Sequence, residues 1–215
     1  ICGRETFDGT NLCPSCAKTV TLNDGTTCPI CGRKTAVNEV CLECKAHPPA
    51  YDRAVSALVY RDGGAGLVMK FKRGGTYLKD YFADLLAPKC RQFAIADGVC
   101  FVPMTARAER RRGYNQAELL AKELADRLDL PLLPVLKKKK ETGEQKSLTR
   151  KERESNLKGC FSAHKADVTG KSFILVDDVL TTGATAEEAA KTLKNKGAEH
   201  VYCAFAASVE FKNEL

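Results

Sequence analysis

FILVDDVLTTGAT, residues 173–185, decides the fold. Phe173–Val176 is a short apolar run of the kind that suits a strand covered on both faces. Two carboxylates, Asp177 and Asp178, follow at once. A Thr-Thr-Gly-x-Thr turn then opens an amphipathic helix, ATAEEAAKTLKNKG (184–197), which Gly197 stops. Such a turn is a phosphate cradle. Backbone N–H groups from about Leu180 to Thr185 face one concavity, and the helix dipole adds positive potential. Thr181, Thr182 and Thr185 offer hydroxyl donors, and Gly183 lets the backbone come close. Asp177 and Asp178 stand one step away, placed to accept hydrogen bonds from sugar hydroxyls. Capping a helix does not by itself call for two adjacent acids and three threonines.

The same alternation extends outward. AVSALVY (54–60), VCFVPM (99–104), PLLPVL (131–136), KSFILVDDV (171–179) and HVYCAFAAS (200–208) read as strands. GLVMKFKRG (66–74), TYLKDYFADLLAPKC (76–90) and YNQAELLAKELADRL (114–128) read as helices. This order predicts an α/β domain over 51–215, with a parallel sheet covered by helices on both faces. Ligands of such sheets bind beyond the carboxyl ends of the strands. No stretch is apolar and long enough to insert in a membrane, and no signal-peptide pattern stands at the start.

Residues 1–48 are different. Seven of the 11 cysteines fall in the first 44 residues, in a repeated pattern. One copy carries Cys28 and Cys31 followed by Cys41 and Cys44; the other carries Cys2 followed by Cys13 and Cys16. Each first knuckle is followed by glycine, Gly32 or Gly3, which takes the positive φ of a tight turn. Four thiolates in this spacing make a closed tetrahedral zinc site, structural rather than catalytic. The expected small domain is a double zinc ribbon, with Asp8-Gly9 turning a hairpin in the first copy and TVTLNDGTTC (19–28) forming another around Asp24-Gly25. Strands this short bury no core, so the metal supplies folding energy. The repeat places the first copy's fourth ligand just before Ile1; a decayed three-cysteine site, or one completed by His47, is the alternative. Thiolate pairs without a secretory signal point to a reducing, cytoplasmic compartment. Cys90, Cys100, Cys160 and Cys203 lie among apolar residues and read as small buried hydrophobes.

The net charge of +7 is unevenly placed. Residues 1–50 balance five Lys/Arg against five Asp/Glu, whereas 105–158 hold fifteen against nine. The excess predicts an anionic partner at that region: phosphate, pyrophosphate or nucleic acid. Arg107, Arg110, Arg111 and Arg112 follow a strand end, where their forks suit phosphate oxygens. Lys137, Lys138, Lys139 and Lys140 open a charged stretch, 137–153, without apolar periodicity before Leu148, which reads as a loop. There is no Trp, and only Tyr114 and Phe161 are near, so aromatic stacking on bases has little support.

Residues 173–185 resemble the phosphoribosyl-pyrophosphate motif of type I phosphoribosyltransferases. RRGYNQAELLA (111–121), the spaced set Gln145, Leu148, Arg153, Asn156, Gly159 and Phe161, and the doubled cysteine module narrow the resemblance to the ComF/GntX family across the whole chain. After Val102-Pro103 many members carry a second proline, where this chain has Met104-Thr105. The resemblance implies a five-stranded parallel core. It gives Asp177 and Asp178 the ribose hydroxyls of phosphoribosyl pyrophosphate, and Val179, Leu180, Thr181, Thr182, Gly183, Ala184 and Thr185 the 5-phosphate. It adds Mg²⁺ between ribose and pyrophosphate, and a mobile loop at 137–153 that closes over the ligand. It implies a role in DNA uptake during natural transformation, with single-stranded DNA or a competence helicase as partner. The alternatives are a working phosphoribosyltransferase, transferring ribose 5-phosphate to an amine or nucleobase with Asp177 and Asp178 as its catalytic pair, and a zinc-ribbon interaction module. No general base for a nucleobase stands out, and residues 51–80 show no ring-reading pocket, so the sequence supports ligand binding and leaves turnover open.

Overall fold

In the computed structural model, which describes residues 1–3, 12–93, 95–139 and 157–210, the acid-bearing strand lies inside a parallel sheet. Its strands are β1 (Arg53–Val59), β2 (Gly98–Phe101), β5 (Phe173–Leu180) and β6 (Val201–Ser208), in the order β1-β6-β5-β2. β5 runs on through both acids and pairs Asp177 with Phe205 and Leu180 with Ser208. Alternation along the strands splits the core. Ile174, Val176, Ala204 and Ala206 meet α3 (Asp62–Phe71), α4 (Leu78–Cys90) and α6 (Gln116–Leu128) through Phe71, Phe82, Leu86, Leu120 and Leu124. Phe173, Leu175, Cys203 and Phe205 face the other way, toward Ala189, Ala190 and Leu193 of α8 (Ala184–Asn195).

A fifth strand exists only as a trace. Leu132 makes one parallel bridge to Val99, with Val99 N–H donating to Pro131 O at 2.9 Å and Leu133 N–H to Val99 O at 2.7 Å. Pro131 and Pro134 lack the N–H a ladder needs, which stops the pairing there. The expected strand 131–136 is therefore displaced. Leu136 instead starts β3 (Leu136–Lys138), antiparallel to β4 (Phe161–Ala163). Lys137 and Lys138 thus belong to a two-stranded ribbon rather than a loop. Lys140, Gln145, Leu148, Arg153 and Asn156 lie outside the described residues, as does the turn expected at Asp8-Gly9.

Asp24-Gly25 does turn, with Gly25 at φ +83°, but its arms do not pair with each other. Leu22 bridges Leu58 of β1, and Thr27 bridges Lys34. Lys89 Nζ donates to Asp24 Oδ1 at 2.6 Å, and Asn23 Nδ2 to Ser56 Oγ at 2.6 Å. Tertiary partners outcompete the local hairpin. The short helices α1 (Pro14–Ala17) and α2 (Leu42–Ala46) follow Cys13 and Cys41. α5 (Ala106–Arg112) follows Thr105, whose hydroxyl accepts from Ala108 N–H, and α7 (Lys165–Val168) precedes β5. Cys90, Cys100, Cys160 and Cys203 are all buried, and burial pushes the Cys90 thiol up to about 12, consistent with inert packing groups.

Candidate functional site

β5 delivers Asp177 and Asp178 to the carboxyl end of the sheet, and the chain turns through Thr181–Gly183 into α8. Gly183 is the N-cap residue at φ +86°, a conformation costly for any side chain. Thr182 Oγ1 accepts from Ala184 N–H at 3.4 Å, and Glu187 N–H returns to Gly183 O at 2.8 Å. Val179 and Leu180 still pair with β6, so the free turn is shorter than the motif. Thr181 is exposed, Thr182, Gly183 and Thr185 are half-buried, and Ala184 is buried.

The two acids are not equivalent. Burial, and then the charge of Asp178, push Asp177 up to about 7, against an Asp178 N–H bond to its Oδ1 at 2.8 Å and the charges of Lys72 and Lys138. Asp178 has direct partners. Lys72 Nζ is 2.9 Å from Asp178 Oδ2, and Gln116 Nε2 donates to the same oxygen at 2.6 Å. Sequence reasoning missed Lys72. It caps the C-terminal end of α3, where a lysine reads as a dipole-complementing surface charge.

Tyr114, Asn115 and Gln116 explain why their run is polar yet sheltered. Tyr114 OH donates to Phe71 O and accepts from Gly74 N–H at 2.8 Å, fixing the segment that carries Lys72. Asn115, only 4 % exposed, donates from Nδ2 to Val102 O at 3.1 Å and caps α6 by accepting from Ala117 N–H at 3.0 Å. Gln116 reaches Asp178, and Arg112 Nη1 donates to Gln116 Oε1 at 2.5 Å. Three successive residues thus tie the α3 end, the 102–105 loop and the acid pair together.

The basic residues divide. Arg112 joins the site through Gln116, whereas Arg107, Arg110 and Arg111 project from the exposed face of α5. Lys138 is half-buried, its Nζ 5.8 Å from the Phe161 ring centre, and its charge reaches Asp177. Lys137 and Lys139 are exposed.

Both cysteine groups converge. The sulfurs of Cys28, Cys31, Cys41 and Cys44 lie within 4.8 Å of one another, and all four residues are buried. Those of Cys2, Cys13 and Cys16 also lie within 4.8 Å of one another, but Cys2 is exposed, Cys13 half-buried and only Cys16 buried. A tetrahedron with metal–sulfur bonds of about 2.3 Å has edges of about 3.8 Å. Cys31 and Cys41 sulfurs are 3.7 Å apart, and those of Cys2 and Cys13 are 3.6 Å apart. The four-cysteine set therefore fits zinc. Among the described residues the first group has three donors, and His47 is not one of them; His47 lines a groove of about 1180 Å³ beside Cys44, Tyr51 and α8. The four-cysteine knuckle shares the core of the α8 face with Tyr51, Ala54 and Leu180.

Residues 115–213 match the phosphoribosyl transferase domain family. The chain is 32 % identical over 201 residues to competence protein F of Haemophilus influenzae, covering 88 % of this chain and 87 % of that one. It is 30 % identical over 199 residues to DNA utilization protein YhgH of Escherichia coli K12, with the same coverage. Similarity to competence protein ComFC of Bacillus subtilis is 29 % over 196 residues, covering 86 % and 79 %. Among the described residues no helix is long and apolar enough to cross a membrane.

Proposed function

The chain belongs to the ComF/GntX family of competence and DNA-utilization proteins and carries a phosphoribosyl transferase domain; on that premise we propose that it binds phosphoribosyl pyrophosphate with Mg²⁺ and serves DNA uptake in the cytoplasm. The observation that carries the ligand reading is the acid pair beside the turn, with Asp178 oriented by Lys72 and Gln116. In this reading the ribose 2- and 3-hydroxyls donate to Asp177 and Asp178. The N–H groups and hydroxyls of Thr181–Thr185 hold the 5-phosphate at the start of α8. Lys72 and Arg112 face the pyrophosphate side, and Lys138 adds positive potential. Mg²⁺, when bound with the ligand, neutralises pyrophosphate charge, and the same charge relief would favour departure of pyrophosphate in a transfer reaction. Zinc held by Cys28, Cys31, Cys41 and Cys44 is structural.

Calorimetric titration of phosphoribosyl pyrophosphate and Mg²⁺ tests this. The wild type is expected to bind, and Asp177→Asn/Asp178→Asn to bind at least about tenfold more weakly, since hydrogen bonds to charged groups contribute roughly 1.5–3 kcal/mol. Equal affinity in the two proteins would remove the acids from the site.

Single-stranded DNA is the proposed macromolecular partner, because Arg110, Arg111, Lys137 and Lys139 are exposed in the region of excess positive charge. Affinity for an oligothymidylate should fall steeply with salt as phosphate contacts release counterions. Replacing Lys137–Lys140 with alanine should flatten that dependence by roughly one log-log slope unit per lost contact. An unchanged slope would place the contact elsewhere.

A further inference from the structure

Arg33 connects the second cysteine cluster to the phosphate turn. It is the second residue after Cys31 and only 5 % exposed. Its Nη2 donates to Thr181 O at 2.5 Å, across 148 residues of sequence, and an ideal Cβ on Gly183 would lie 4.0 Å from the same nitrogen. Its Nε is buried with no partner among the described residues, and no ion pair of Arg33 occurs among them. A buried guanidinium is a large desolvation burden. It is tolerable here while Thr181 O stays in reach and the Cys31 sulfur lies close enough to feel its charge; in the sugar-phosphate reading a bound phosphate would face it from the other side.

The knuckle that aims Arg33 is itself tightly fixed. Cys28 N–H donates to Arg33 O at 2.9 Å, and Gly32 N–H to Cys28 O at 2.9 Å. Ala54 N–H of β1 donates to Ile30 O at 2.7 Å, and Asn23 Nδ2 to Gly32 O at 2.7 Å. A Cβ on Gly32 would stand 2.3 Å from Ala54 O, so the knuckle sits flush on the sheet edge. A second tie runs from the segment after the ribbon: Ala50 N–H donates to Glu187 Oε2, in the first turn of α8, at 2.7 Å. Both flanks of the phosphate turn are therefore held from the cysteine side.

We propose that Arg33 is a positioning residue that makes the metal cluster and the sugar-phosphate turn one linked unit, so that ligand binding retains the metal and metal loss loosens the turn. This rests on the sugar-phosphate reading of the turn. Linkage is reciprocal, which separates it from a one-way structural clamp: if an intact cluster strengthens ligand binding, ligand must protect the cluster by the same factor.

The test uses the full zinc-loaded chain. N-ethylmaleimide with a zinc chelator is added with or without saturating ribose 5-phosphate, and labelling of Cys28, Cys31, Cys41 and Cys44 is followed by peptide mass spectrometry. Ribose 5-phosphate is expected to slow labelling at least about fivefold in the wild type, the low end of usual coupling. Arg33→Met should keep its zinc, bind ribose 5-phosphate about tenfold more weakly, and label at a ligand-independent rate; Arg33→Lys, which retains one donor for Thr181 O, should fall between. Binding without protection in the wild type overturns the coupling alone, as does undiminished affinity in zinc-loaded Arg33→Met. Absence of ribose 5-phosphate binding in the wild type overturns both the coupling and the sugar-phosphate reading. If Arg33→Met fails to hold zinc, the wild-type protection decides the matter by itself.

Discussion

Cys31→Ser is expected to remove the zinc of the second cluster and unfold residues 27–47, while the parallel sheet stays folded. The segment's hydrogen bonds to its surroundings, at Ile30, Gly32 and Arg33, place the knuckle on the sheet but do not close it. α2 is five residues long, and the only strand-like pairing inside the knuckle is the Thr27–Lys34 bridge. Structural zinc contributes on the order of 10–16 kcal/mol in small cysteine modules, far more than so short a segment gains from local hydrogen bonds. A serine hydroxyl at this wholly buried position is a poor ligand and leaves three thiols around a void. The sheet has an independent core on its other face, built by α3, α4 and α6. Metal analysis should show one zinc fewer per chain, and limited proteolysis should cut within 27–47 while the strand and helix signal persists. A protease-resistant, zinc-free knuckle would mean that packing on Tyr51 and Ala54 holds it without metal.

Much of this architecture is legible because its signals are local. Phe173–Val176 followed by two acids and Thr-Thr-Gly is visible in thirteen residues, and so is each Cys-x-x-Cys pair. The helix over Gln116–Leu128 follows from apolar spacing alone. The features that were not legible depend on partners distant in sequence. Lys72 meets Asp178, and Arg33 meets Thr181; neither residue carries a local mark that separates it from a surface cation. Asp24-Gly25 carries a clear hairpin signal, yet its arms pair with Leu58 and Lys34 because buried bonds to β1 compete with the local ladder. The prolines at 131 and 134 were a readable warning against a regular fifth strand, and a single bridge is what remains.

Affinity for phosphoribosyl pyrophosphate is expected to rise about 100-fold between pH 5 and pH 7 and then level off. Burial first, and Asp178 second, hold the Asp177 carboxyl at about 7 instead of its ordinary 3.8. Near pH 7 the ligand-free protein is therefore a mixture of protonated and ionised Asp177. A sugar hydroxyl donates best to the ionised form, so binding favours loss of the proton, and affinity gains about tenfold per pH unit until the free group has ionised. Phosphate oxygens with a second pKa near 6 titrate in the same window. Asp177→Asn separates the two: it removes the carboxylate's share and leaves the shallower rise that belongs to phosphate. The same shift makes an opposite prediction for stability without ligand. The folded chain keeps a proton that the unfolded chain loses above about pH 4, so this group's contribution to stability falls as pH climbs from about 4 to 7. Asp177→Asn should accordingly melt higher than wild type at pH 8 without ligand while binding ligand more weakly. A lower melting temperature together with an unchanged pH profile of binding would mean that Asp177 stabilises the strand end rather than serving the ligand. The two measurements, thermal melting and titration across pH 5–8, then distinguish a carboxylate held at a cost for function from one kept for the fold.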